Sequence, residues 1–204
     1  MEYLKYDDKI IDYLKSKDAK LASIIDYFGY VKREINTKPF ESLIQQIIAQ
    51  QVSKQAAKTV FEKLKAKVSD FNAKDIYELS LDDIQSCGMT HRKAGYIHSI
   101  SEEVINKTLD FDELFLLDDE EVIKKMSKLS GIGKWSAQMF LIFTMQRMNV
   151  ISYDDLAIRK GMMKLYGLTS LDKKTFEMYK KNYEPYATVA SIYLWHLAHN
   201  DLEK

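Results

Sequence analysis

Apolar residues recur at three- and four-residue intervals along almost the whole chain, and strict alternation longer than four residues is scarce. Phe40, Leu43, Ile44, Ile47 and Ile48 mark one helical face in this way. The spacing predicts helices over 7–14, 20–28, 40–50, 53–68, 75–79, 81–87, 91–106, 118–126, 135–145, 155–166 and 173–182, with a closing helix to about 199. Residues 150–153 read as the best extended piece. No internal repeat or low-complexity linker interrupts the pattern. The expected fold class is all-α.

Composition narrows the class without changing it. Apolar residues make up 46% of the 204 and aromatics 12%, an ample core for one large domain or two small lobes. Two prolines and seven glycines leave little room for long loops. No apolar run approaches the roughly 18 residues of a membrane span, and the first nine residues mix charges with tyrosines, unlike a signal-peptide core. A cytoplasmic protein is expected, nucleoid-associated if prokaryotic, with no membrane partner. The single cysteine, Cys87, excludes an internal disulfide and a four-cysteine iron–sulfur cluster.

Candidate chemistry concentrates between two helical patterns. Leu129-Ser130-Gly131-Ile132-Gly133-Lys134-Trp135-Ser136-Ala137 places two glycines around one apolar residue, which makes a tight hairpin. With no Cβ in the way, its backbone N–H groups can meet a phosphate at the start of the next helix. An ordinary helix–turn–helix corner fits the same residues. Asp154 and Asp155 follow at the mouth of another helix, where an Asp is also a preferred N-cap. A phosphate-gripping hairpin with a carboxylate downstream points to chemistry on a nucleotide.

Net charge is zero, which is unusual for a phosphate binder, so the distribution matters more than the sum. Acidic residues crowd 110–121. Lys124, Lys125, Lys128, Lys134, Arg147, Arg159, Lys160 and Lys164 surround the hairpin and the candidate acid in sequence. They read as a local basic face or as solvated helix surfaces.

The chain resembles the helix–hairpin–helix superfamily of base-excision DNA glycosylases, and within it the DNA-3-methyladenine glycosylase II branch. The family pattern L-P-G-I-G-x-W-T-A, followed by Asp-Asp-x-x-Ile, stands here as residues 129–137 and Asp154-Asp155-Leu156-Ala157-Ile158. Residues 40–53, ending Ile47-Ile48-Ala49-Gln50-Gln51-Val52-Ser53, resemble the family's I-x-x-Q-Q-V-S helix. Pro185-Tyr186 and Trp195 supply a fourth match. The likeness runs from about residue 36 to the end.

That resemblance implies a two-lobed helical fold. Residues 1–35 would form N-terminal helices packing on a 36–204 core, with the active-site cleft between the lobes of that core. The short leading segment has no room for the N-terminal β-domain of some relatives. It also implies that a monomer flips an alkylated purine out of damaged duplex DNA and hydrolyses its N-glycosidic bond.

Asp155, selected over Asp154 by the x-x-Ile that follows, would be catalytic, with Asp154 nearer the helix cap. The position where strand-cutting relatives carry a lysine nucleophile is Trp135, which implies a monofunctional enzyme that leaves an abasic site. Trp135, Trp195, Met139 and Tyr186 would line the pocket, where indole faces attract a cationic base; both tryptophans serve equally well as core anchors. Gln51 would fill the gap left in the duplex, though a glutamine pair is also an ordinary polar face. Gly131, Ile132, Gly133, Lys134 and Ser136 would hold the DNA backbone, with Arg92 and Lys93 as unspecific phosphate contacts.

No organic cofactor is expected. A monovalent cation on the carbonyls of Ser127, Leu129 and Ile132 is expected from the family, although Ser130 replaces the hairpin proline. His196 and His199 lack the partners of a zinc site. Two other readings remain open: a glycosylase for uracil or an oxidised purine, and a non-catalytic helix–hairpin–helix DNA-binding module.

Overall fold

The computed structural model describes residues 2–200. Met1 and residues 201–204, the outer ends of the expected domain ranges, lie outside the described residues. In chain order the elements are β1 (Glu2–Tyr3), α1 (Asp8–Lys17), α2 (Ala19–Phe28), β2 (Glu34–Ile35), α3 (Pro39–Ala49), α4 (Lys54–Lys65), α5 (Ala73–Tyr77), α6 (Leu81–Gln85) and α7 (His91–Ile105). They continue as α8 (Phe111–Leu116), α9 (Asp119–Met126), α10 (Lys134–Phe143), α11 (Leu156–Tyr166), α12 (Lys173–Tyr183) and α13 (Ala187–His199). The all-α expectation holds. One antiparallel pair, Glu2 opposite Ile35 and Tyr3 opposite Glu34, was not foreseen, being too short for an alternating pattern.

Helix starts follow side-chain chemistry closely. Asp7, Asp18, Ser53, Asn72, Ser80, Thr90, Asp110, Asp118, Asp155 and Asp172 each accept a backbone N–H from the first turn they precede. Asp118 and Glu121 complete a capping box. The acidic run therefore has a structural role. Asp110, Asp112 and Glu113 start α8, a helix absent from the sequence reading, and Asp118 to Glu121 start α9. Carboxylates there face the positive ends of helices.

The chain divides into two compact units. The first comprises residues 1–35 and 141–204, so the N-terminal helices belong with the C-terminal ones. In it α11 lies against α13, α1 and α2 pair, and α13 also meets α2 and α12. Eleven of the 13 residues of α13 are buried, which makes it the central helix of this unit. Leu194, Val189, Met162, Phe176 and Leu21 lose all solvent contact around it. Gly161 is where α11 comes nearest: a Cβ there would stand 2.1 Å from the Leu194 carbonyl oxygen.

A buried polar knot closes the same unit. Asp18 caps α2 with one oxygen, and with the other accepts from the Tyr166 hydroxyl at 2.5 Å. Tyr166 and Tyr183 share a hydroxyl contact of 2.7 Å, and burial pushes both phenols well above their ordinary pKa. Residues 150–153 are not a strand. The Val150 backbone is held by α13 instead, its N–H donating to Thr188 Oγ1, while the Thr188 hydroxyl donates to the nearby Arg147 carbonyl.

The second unit, residues 36–140, packs α5 and α6 on α7 and α3 on both α4 and α7. Leu43, Ile44 and Ile47 of α3, Ile97 and Ile100 of α7, and Phe140 are fully buried within it. Cys87 is a buried thiol, and burial raises its pKa. Among the described residues, no helix is long and apolar enough to cross a membrane.

Candidate active site and DNA-binding hairpin

The hairpin of the second unit is built around Ile132. That side chain is 4% exposed, and its N–H donates to the Leu129 carbonyl at 3.1 Å, so the apolar residue pins the turn from beneath. Gly131 adopts φ +80°, a region an L side chain rarely enters. A Cβ there would also stand 2.3 Å from the Tyr96 ring. Gly133 is different: nothing lies within 4 Å of the place its Cβ would take, so the backbone there is open to approach. Its carbonyl accepts from Ala137, and α10 begins at the next residue. First-turn N–H groups of a helix have no acceptor inside it, which suits an anion.

One contact ties this turn to the end of α3, and a second holds that helix end from α7. The Gln50 side-chain amide donates to the Gly131 carbonyl at 2.8 Å. Lys93 donates to the carbonyls of Ile48 and Gln50, the last of the helix, and burial lowers its pKa. The expectation of a phosphate contact from Lys93 is therefore corrected, because its ammonium caps α3. Beyond Gln50, Gln51 is exposed and holds φ 57°, a left-handed conformation that costs an unbranched residue on the order of 1 kcal/mol. Local strain under a solvent-facing amide fits a residue that projects from the surface.

The predicted hairpin residues separate by burial. Lys134 is exposed, together with Lys124 and Lys128, whereas the Ser136 side chain is 6% exposed and faces inward. Of the carbonyls expected to hold a cation, that of Leu129 already accepts the Ile132 N–H, with one lone pair left over. Trp135 is 43% exposed, which removes it from the core. Met139, four residues on along the same face of α10, is 5% exposed.

The hairpin geometry gives a direct expectation. Gly131→Ala must relieve both the positive φ and the clash with Tyr96, so it should destabilise the protein by roughly 2–3 kcal/mol. DNA affinity should fall with it. Thermal melting and a binding titration on the same variant test this, and an unchanged melting temperature with full affinity would contradict it.

In the first unit, Asp155 is the N-cap of α11. Its Oδ1 accepts the N–H groups of Ala157 at 2.9 Å and Ile158 at 3.0 Å, and the residue is 7% exposed. The sequence reading put Asp154 nearer the cap; the structure gives the cap to Asp155 and leaves Asp154 in an exposed turn. Ile158, which singled out Asp155 in the motif, is fully buried and anchors the first turn of α11 behind the carboxylate.

Trp195 is both core anchor and wall. It is 7% exposed, and its ring lies 5.6 Å from that of Phe143 at an interplanar angle of 29°. It borders a cavity of about 250 Å³ shared with Arg33, His196 and His199. The Arg33 guanidinium stands 5.0 Å from the centroids of both Trp195 and Phe143. Sequence reasoning missed both partners. Phe143 follows Met139 by four residues, a spacing that could have found it; Arg33 carries no local signal. Tyr186 precedes α13 as its N-cap residue, and its ring meets Tyr13 edge-on at 5.3 Å.

Other basic residues of the first unit have structural partners. Arg159 stacks over Tyr153 at 5.1 Å, and Lys164 donates to the carbonyls of Leu197 and Asn200 at the end of α13. His199 Nδ1 lies 2.8 Å from the Trp195 carbonyl, and His196 meets Phe28 edge-on. No group of metal-binding side chains occurs among the described residues.

The glycine hairpin thus feeds α10 in the second unit, and a buried aspartate caps α11 in the first. Residues 44–185 match the HhH-GPD superfamily of base excision DNA repair proteins, and the chain belongs to that family. It is 28% identical over 193 residues to the alkylbase DNA glycosidase-like protein mag2 of Schizosaccharomyces pombe, covering 91% of each chain. A crystal structure of a DNA-3-methyladenine glycosidase from Bacillus halodurans superposes with a TM-score of 0.86 at 32% identity, over 98% of this chain and 94% of that one. The S. pombe 3-methyladenine DNA glycosylase Mag1, solved with abasic DNA, superposes with a TM-score of 0.80 at 28% identity, over 92% and 95% of the two chains.

Proposed function

We propose that this protein is a DNA glycosylase that excises alkylated purines of the 3-methyladenine and 7-methylguanine type from duplex DNA. The observation that carries this reading is Asp155, a buried carboxylate fixed by two backbone N–H groups at the start of α11, in a chain of this repair family. The relatives are named an alkylbase DNA glycosidase-like protein, a DNA-3-methyladenine glycosidase and a 3-methyladenine DNA glycosylase, which supports the lesion class.

The chemistry follows from the residues. As the bond between C1′ and the base nitrogen breaks, its electron pair stays with the base and positive charge grows on the sugar. A methylated purine enters as a cation and leaves neutral, so it needs no strong acid to assist it. The Asp155 carboxylate stabilises the sugar cation and orients the water whose oxygen bonds to C1′. The water gives its proton to the Asp155 carboxylate, and an abasic site remains. Trp135 stands where a lyase lysine would be, so no Schiff base forms and the strand stays intact.

The remaining parts have supporting roles. The exposed Trp135 offers an indole face to a flipped, cationic base, and Gln51 enters the space the base vacates. Gly133 and the first turn of α10 receive a DNA phosphate. A monovalent cation on the carbonyls of Ser127, Leu129 and Ile132 would add positive charge at that point. The protein works as a monomer.

Chromatography of bases freed from DNA treated with a methylating agent tests the proposal. Release of 3-methyladenine and 7-methylguanine is the expected result. Binding to the same duplex without release of either base would favour the reading of a non-catalytic module.

A further inference from the structure

The aromatic platform of the first unit already carries a cation of its own. Arg33, in the short segment between α2 and β2, lays its guanidinium over both Trp195 and Phe143, 5.0 Å from each ring centroid. Arg33 is exposed as a residue, yet its guanidinium packs on two rings; desolvation lowers its pKa while the Asp155 and Glu34 carboxylates oppose that shift. The guanidinium stays charged throughout. It therefore sits on the indole, at the rim of the 250 Å³ cavity, within the electrostatic reach of Asp155.

We propose that Arg33 is a specificity-determining residue that sets how the enzyme discriminates between positively charged and neutral purine bases. The proposal rests on the alkylpurine reading above. A cationic base approaching Trp195 meets a like charge already in place, which weakens its binding. A neutral base, such as hypoxanthine, meets no such repulsion. When its glycosidic bond breaks, the electron pair leaves it anionic, and a fixed guanidinium stabilises that charge by attraction and N–H donation. Arg33 thus shifts the balance toward neutral lesions from both directions. An arginine serving only as packing would affect both classes alike.

Two measurements on Arg33→Gln and Arg33→Lys test this. The first is excision of 7-methylguanine and of hypoxanthine from matched duplexes. Arg33→Gln should raise the ratio of cationic to neutral base release by about tenfold, while Arg33→Lys, which keeps the charge, stays near the original ratio. The second does not depend on catalysis. In a Trp135→Phe background Trp195 is the sole tryptophan, and its fluorescence reports titration with 7-methylguanosine, in its cationic form at mildly acid pH, or with guanosine. Arg33→Gln should shift relative affinity toward the cation by a similar factor.

Equal losses for both bases and an unchanged nucleoside ratio would overturn the role of Arg33, as would the absence of any nucleoside binding at Trp195. If the parent protein released no base while the nucleoside ratio still moved with Arg33, the alkylpurine reading would fail and the charge selection would stand.

Discussion

Asp155→Asn should lower base excision by on the order of 10²–10³-fold while leaving DNA binding and folding nearly intact. The asparagine carbonyl can still accept the N–H groups of Ala157 and Ile158, so the cap of α11 survives. What is lost is the negative charge that the proposed mechanism sets against the sugar cation. Asp155→Ala removes both roles, and should add about 1 kcal/mol of destabilisation to the catalytic defect. Comparing the two separates the structural from the chemical contribution. Single-turnover excision on a methylated duplex, at protein concentrations that saturate binding, reads the chemical step alone. Equal rates for the parent protein and Asp155→Asn would move the chemistry to another residue.

Gly161→Ala should be among the most damaging single-methyl additions. The new Cβ would stand 2.1 Å from the Leu194 carbonyl oxygen and 2.8 Å from its carbon, with backbone rather than a flexible side chain in the way. To make room, α11 must move away from α13, the helix it packs on most extensively. Overpacking of this kind costs about 3 kcal/mol, or roughly 6–12 °C in Tm for a chain of this size. The same movement displaces Asp155 at the start of α11 from Trp195 on α13, so excision should fall further than stability alone explains. Gly95→Ala is the control: it lies within α7 with nothing inside 4 Å, and should be neutral or stabilising by up to about 1 kcal/mol. Equal melting temperatures for the two variants would contradict the close approach of α11 and α13.

Local signals in the sequence were enough for most of the architecture. Helical periodicity and Ser, Thr, Asp and Asn at helix starts specify elements such as α4, α7 and α9, because both act within one or two turns. The α8 helix escaped because its six residues sit inside a run of acids that reads as charge before it reads as caps. Residues 150–153 looked extended, yet Val150 pairs with the Thr188 hydroxyl, 38 residues away, and not with a neighbouring strand.

The site divides in the same way. Asp155, Trp135 and the hairpin glycines stand in contiguous motifs, which is why the sequence singles them out as candidates. Arg33 was not, because its place over Trp195 depends on two segments far apart in sequence. Gly161 looks like any helical glycine until α13 is laid against it. Lys93 resembled a phosphate ligand from its neighbours alone, and only the end of α3 reveals it as a cap.

The most direct test of alkylpurine hydrolysis by this protein uses a duplex with one 7-methylguanine, scoring free base and strand integrity in the same reaction. The account predicts release of the base from an uncut strand that breaks only after alkali, with no adduct trapped by borohydride. A strand cut during the reaction, or a borohydride-trapped covalent complex, would show an amine nucleophile at work and contradict the mechanism based on Asp155 and water.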